Sequence, residues 1–136
     1  MKIEIEKIYS RELVQNNPNK LYIFGENVNQ QYTHAVGGGQ AVIRGLKNTF
    51  GFCTLDDIGL YWKDEEYVMN AEKIMTDILS LLIRSKGYDC IVFPYYGLGT
   101  GRANLQKAPK TFLFLCNQLF DIFGYNNLEN LKPSNF

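Results

Sequence analysis

One histidine, three scattered cysteines and no surplus of either charge already exclude several kinds of protein. Lys plus Arg and Asp plus Glu each number 14 in the 136-residue chain, so the formal net charge is zero. A protein that tracks a phosphate backbone carries a basic excess; none is present, and nucleic acid is not an expected partner. Cys53, Cys90 and Cys116 form no CxxC pair, and zinc is not expected. Each cysteine lies in an apolar stretch, which predicts buried free thiols in a reducing compartment. No run approaches the ~20 apolar residues of a membrane span. The opening Met1-Lys2-Ile3-Glu4-Ile5-Glu6-Lys7 has no apolar signal core. A cytoplasmic location is expected, and a composition rich in Asn, Ile, Tyr and Lys suits a bacterium or a phage-infected cell.

The rest is ordinary globular composition, 46% hydrophobic and 21% charged, at a length typical of one domain. Residues 2–8 alternate and predict a half-exposed edge strand. Leu21-Tyr22-Ile23-Phe24 and Cys90-Ile91-Val92-Phe93 are continuous apolar runs, closed by Gly25 and Pro94, as buried parallel strands require. Phe50-Gly51-Phe52-Cys53-Thr54 predicts a further strand. A short helix is expected from Gly39 or Gln40 through Leu46. The strongest helical signal spans Asp64 to Lys86, with Asp64 as its cap and Tyr67, Ala71, Ile74, Met75, Ile78, Leu79 and Leu82 as its core stripe. A last helix opens near Lys107, carries Pro109 in its first turn and ends at Gly124. Strands alternating with helices predict an α/β domain, three-layer α/β/α with a mixed, mostly parallel sheet, over residues 1–124. A polar, loosely held tail is expected over 125–136.

Glycine is where the sequence becomes specific. Phe24-Gly25-Glu26-Asn27 is followed by Gly37-Gly38-Gly39-Gln40-Ala41 at a helix start. Phe93-Pro94-Tyr95-Tyr96 runs into Gly97-Leu98-Gly99-Thr100-Gly101-Arg102 before the last helix. Without a Cβ, backbone N–H groups approach a ligand closely, and a helix start adds a positive dipole end; both loops therefore suit a phosphate. Thr100 offers a further donor, Tyr95 and Tyr96 a wall for a sugar or base, and Arg44 and Arg102 a neutralising charge. Neither loop is a P-loop, because GxxxxGK[ST] is missing, and Arg102 stands where GxGxxG needs its third glycine.

These residues resemble the macro domains. Their first loop reads NAAN after a buried strand, followed by a polar stretch and a GGGVA-like helix start. Their second follows a strand ending Phe-Pro and reads roughly STGxxG. The order and glycine positions agree over about residues 20–124. The resemblance implies an ADP-ribose ligand, with Asn27 and Gly38-Gly39 at the distal ribose and Gly97 to Gly101 around the diphosphate. It also implies that in hydrolytic members the asparagine helps position an attacking water. The opening strand carries no Gly-Asp-Ile segment, whose aspartate reads adenine in that family, so the likeness lies at the ribose and phosphate end.

Candidate ligand-binding residues are therefore Gly25, Asn27, Gly37, Gly38, Gly39, Gln40, Ala41, Arg44, Pro94, Tyr95, Tyr96, Gly97, Leu98, Gly99, Thr100, Gly101 and Arg102. Asn27, Glu26 and His34 are the candidates for chemistry. Asp56-Asp57 and Asp64-Glu65-Glu66 do not suggest a metal, since helix-start charge accounts for the second group. No cofactor is called for. Binding of an ADP-ribose-type nucleotide is the first expectation. ADP-ribosyl hydrolysis or removal of a phosphate from ADP-ribose is the second. A non-catalytic phage or bacterial interaction protein is the third.

Overall fold

A computed structural model describes residues 2–128. The two continuous apolar runs become strands β2 (Lys20–Asn27) and β4 (Cys90–Pro94) of a four-stranded sheet. Strand β1 (Lys2–Glu6) lies outside β4, and β3 (Thr49–Leu55) lies outside β2, giving the order β1-β4-β2-β3. Every pairing between these strands is parallel, rather than mixed as expected. After β3 the chain makes an isolated antiparallel bridge between Asp57 and Leu60.

Helices α2 (Tyr67–Ser85) and α3 (Pro109–Phe123) cover one sheet face, where Leu21, Ile23, Phe52, Ile91 and Phe93 form the larger core. The opposite face carries Tyr22, Phe24 and Val92 under the five-residue helix α1 (Arg11–Gln15) and a 3-10 helix, Gly39–Ile43. Helix α1 was not anticipated. Ser10 caps it, accepting from the Leu13 N–H at 3.0 Å. The helix expected from Gly39 to Leu46 is only that 3-10 stretch, because Gly45 at φ 88° turns the chain away. Crossovers β1→β2 and β2→β3 run one way along the sheet on this face, and β3→β4 returns on the α2 face. That arrangement is the one a uniform crossover hand demands.

Two sequence expectations for the helices are corrected. Asp64 does not cap α2. Its carboxylate accepts from the Lys110 and Thr111 N–H groups at 3.0 and 2.9 Å, so it caps α3 from outside. The stripe of α2 is also rotated: Ile74, Ile78 and Leu81 are buried, while Leu79 is 58% exposed. Polar side chains take inward positions because they find partners there. Asn70 donates to the Lys63 carbonyl at 2.9 Å, and Asp77 accepts from the Cys53 N–H at 2.8 Å. In α3, Pro109 opens the helix and Gly124 closes it at φ 70°, as read from sequence.

The outer edge of β3 is closed by side chains. Arg84 donates to the Thr49 carbonyl at 3.2 Å and Gln31 to the Gly51 carbonyl at 3.0 Å, while Asp77 takes the Cys53 N–H. Lys73 pairs with Asp77 at 3.0 Å and donates to Gln31 at 2.6 Å, completing the network. Side chains bound along an edge in this way obstruct its pairing with another strand.

The expected loose tail does not begin at Tyr125. Its ring stacks on Phe93 with centroids 4.3 Å apart, and its hydroxyl donates to the Pro94 carbonyl. Asn127 is buried, accepting from the Leu98 N–H at 2.7 Å and donating to the Leu98 carbonyl at 3.0 Å. The later tail residues, 129–136, lie outside the described residues. Asn127→Ala strips both partners from a buried peptide and is expected to cost about 1–3 kcal/mol in urea denaturation. All three cysteines are buried and free, as expected. Burial pushes the Cys53 thiol well up, with the neighbouring Asp77 carboxylate adding to it. Burial also raises Cys90 and Cys116. At pH 8 the thiols stay protonated, so iodoacetamide should alkylate the native protein about tenfold or more slowly than the urea-unfolded chain.

Candidate ligand crevice

Strands β2 and β4 pair over only three registers: Lys20 with Cys90, Leu21 with Ile91 and Tyr22 with Val92. Beyond them β2 continues alongside β3, while β4 continues alongside β1. The carboxyl ends of the two central strands therefore splay. The segment after β2 goes to one sheet face and the segment after β4 to the other, which makes this gap the topological switch point where open α/β sheets hold ligands.

Side chains span the gap where ladder bonds stop. The Tyr9 hydroxyl lies 2.6 Å from the Ile23 carbonyl and 3.2 Å from the Val92 carbonyl. Further along, Gln40 accepts from the Gly25 N–H at 2.8 Å and donates to the Gly97 carbonyl at 2.9 Å. Gln40 thus ties the strand end before the first glycine loop to the start of the second. Arg102 closes the far side: its guanidinium nitrogens stand 3.2 Å from where a Gly38 Cβ would be. The two glycine loops are thereby brought side by side.

The glycines divide by what requires them. A Cβ on Gly37 would lie 2.8 Å from the Ala41 Cβ. Gly97 (φ 88°) and Gly99 (φ 76°) have left-handed backbones, and a Cβ there meets the Asn127 carbonyl at 2.9 Å or Leu105 at 3.1 Å. The fold needs all three. Gly101 has an ordinary φ and nothing within 4 Å of its Cβ position. The fold gives no reason for glycine there.

Two runs of backbone N–H groups are unpaired: Gly38 and Gly39 are exposed, whereas in the second run Gly99 and Thr100 are buried and Gly101 is exposed. Among the described residues, the N–H groups of Gly38, Gly39 and Gln40 meet no acceptor, nor do those of Gly99, Thr100 and Gly101. Successive unpaired N–H groups in glycine turns form an anion-binding concavity. Arg102 is exposed and has no carboxylate partner among the described residues. The Asn27 side chain, half-buried at the end of β2, likewise carries no hydrogen bond among them.

Other candidates are engaged elsewhere. The Leu98 side chain is in the core and its peptide is taken by Asn127, so it offers the crevice no donor. The Thr100 hydroxyl donates to the Tyr96 carbonyl at 2.6 Å. Tyr95 and Tyr96 are half-buried and meet edge-on, and Lys7 sits over the Tyr95 ring, so this pair stands on the β1 side. Ala41 is buried and Pro94 ends β4; both shape the walls.

Glu26 and Arg44 pair with each other. The Arg44 Nε donates to Glu26 at 2.7 Å, Nη2 to its other oxygen, and Nη1 to the Ala35 carbonyl at 2.8 Å. Both side chains are buried, and Gly51 leaves room for Glu26 on the neighbouring strand. The pair fixes the loop before the glycine triplet to β2. His34 is exposed and lies in a separate cavity of about 230 Å³ at the β3 side, with Glu26, Arg44, Lys47 and Arg84. No group of metal-binding side chains occurs among the described residues.

Sequence reasoning missed Tyr9 and Asn127, which act through tertiary partners 83 and 29 residues away.

The fold defines a parallel-sheet α/β domain whose two glycine loops meet at its switch point. The chain belongs to a family of unknown function, DUF7831, whose model matches residues 4–118. No curated protein and no solved structure matches it. Arg44→Met would leave the buried Glu26 carboxylate unpaired and is expected to cost about 3–5 kcal/mol in chemical denaturation. Adding Glu26→Gln should recover part of that loss.

Proposed function

We propose that the protein binds ADP-ribose or a related nucleotide-derived phosphate ligand in the crevice between its two glycine loops, as a macro-domain-like three-layer α/β/α domain. The observation that carries this reading is the pair of unpaired N–H runs, Gly38–Gln40 and Gly99–Gly101, on neighbouring loops at the switch point. Two donor runs suit a diphosphate better than a single phosphate, and Arg102 supplies the countercharge. Asn27 stands free at the end of β2, where the resemblance puts the distal ribose. Gly101, glycine without a packing reason, is accounted for if a ligand lies against it.

Binding is favoured over hydrolysis. Glu26 is locked by Arg44 and His34 lines a different cavity, so neither is free to activate water at the crevice. The ligand is read as a small molecule; the neutral net charge supports no nucleic-acid partner.

Calorimetric titration with ADP-ribose, ADP and NAD tests the proposal. Wild type should bind ADP-ribose. Gly101→Val should weaken binding by about tenfold or more, equivalent to ~1.4 kcal/mol, at an unchanged melting temperature. Arg102→Ala should cost about 1.5–3 kcal/mol of binding. Folded wild-type protein that binds none of the three ligands would refute the reading.

A further inference from the structure

The two sheet edges are treated in opposite ways. The β3 edge is closed by Arg84, Gln31 and Asp77, whereas among the described residues nothing pairs with the outer side of β1. The direction of its free groups is fixed. The Glu6 carbonyl accepts from the Tyr95 N–H at 2.9 Å, so Glu6, and by alternation Glu4 and Lys2, turn their peptide groups toward β4. The N–H and C=O of Ile3 and Ile5 therefore point outward.

We infer that β1 is the dimer interface, pairing antiparallel with β1 of a second copy about a two-fold axis at Glu4. In this register Ile3 faces Ile5 of the other copy, the two residues with outward ladder groups on each strand. Both N–H···O=C bonds of each such pair can form. The same register sets Lys2 opposite Glu6 twice. Glu4 meets its own copy at the axis, where each carboxylate is already held by Lys20 at 2.7 Å and Lys2 at 3.4 Å. The lysines hold Glu4 below its usual range, the Lys20 hydrogen bond outweighing burial, so it enters the interface as a paired anion. Shifting the register toward the carboxyl end of β1 would set Glu4 against Glu6.

An apolar strip runs beside this edge on the helical face. Ile3 packs into the larger core, so Ile5, two residues on, projects to the same face; it is 45% exposed. Thr111 and Phe114 mark the side of α3 that meets α2, through Asn70 and Tyr67. At helical spacing Leu113 and Phe120 fall on the opposite flank, toward β1, and are 57% and 58% exposed. A two-fold through Glu4 brings the α3 flank of one copy against that of the other. Open backbone groups, a charge pattern that complements itself and an apolar strip thus coincide, as an isologous contact requires. The dimer would carry one continuous eight-stranded sheet with its two crevices at opposite ends. This interface does not depend on what the crevice binds.

Sedimentation equilibrium at micromolar concentration, with far-UV circular dichroism as the folding control, tests it. Wild type should sediment at twice the 15.6 kDa chain mass. Glu6→Lys places Lys2 against lysine and should raise the dissociation constant by about tenfold or more. Lys2→Glu combined with Glu6→Lys should restore the dimer. Phe120→Asp should also give the single-chain mass. If Phe120→Asp fails to fold, the charge-swap pair still decides. A monomeric wild type would overturn the proposal, as would a dimer unmoved by Glu6→Lys. So would a dimer lost on Val68→Asp, on the outward face of α2, but retained in Phe120→Asp.

Discussion

The short ladder between β2 and β4 is the constraint from which the rest follows. Three paired registers hold the two halves of the sheet together, and past Tyr22 and Val92 the backbones part. Each free carbonyl or N–H along the gap needs another partner, since a buried peptide group left alone costs more than a typical hydrogen bond gains. Tyr9 and Gln40 supply those partners. A tyrosine near the amino end and a 3-10 helix glutamine thereby become parts of the sheet, although neither lies in a strand. The gap is also what allows two glycine loops, 60 residues apart in sequence, to lie side by side.

A similar economy governs the polar interior. Glu26 and Arg44, Lys73 and Asp77, and Asn127 with the Leu98 peptide are each mutually satisfied. Such groups fix geometry more than they add stability, because desolvation consumes much of the attraction. In turn they fix the loop before the glycine triplet, the outer β3 edge and the second glycine loop. The walls are held by specific polar contacts, and the donors along them are left unpaired.

The elements legible in the sequence were those whose signal is local. Apolar runs ended by Gly25 and Pro94 marked β2 and β4. Pro109 and Gly124 marked the ends of α3, and the glycine clusters marked both loops. The rest failed for a common reason. Asp64 resembled a cap for its own helix, yet its acceptor geometry suits α3. Leu79 fitted the stripe of α2, but buried Asn70 and Asp77 turned that helix. Glu26 and His34 stood beside the glycine motif in sequence, yet a buried arginine claimed the first and the second packs against Gly45 in another cavity. Polar side chains choose partners across the fold, and composition and periodicity do not record which partner wins.

Asn127 also has a bearing on how the molecule is made. Chains emerge from the ribosome amino end first. Strands β1 to β3 and the first glycine loop are made well before residue 127 is added. Until then the peptide of Leu98 has no acceptor and donor to hold it, and Gly97 has no wall to lean on. The second glycine loop therefore takes its final form only once Asn127 has been added and has docked.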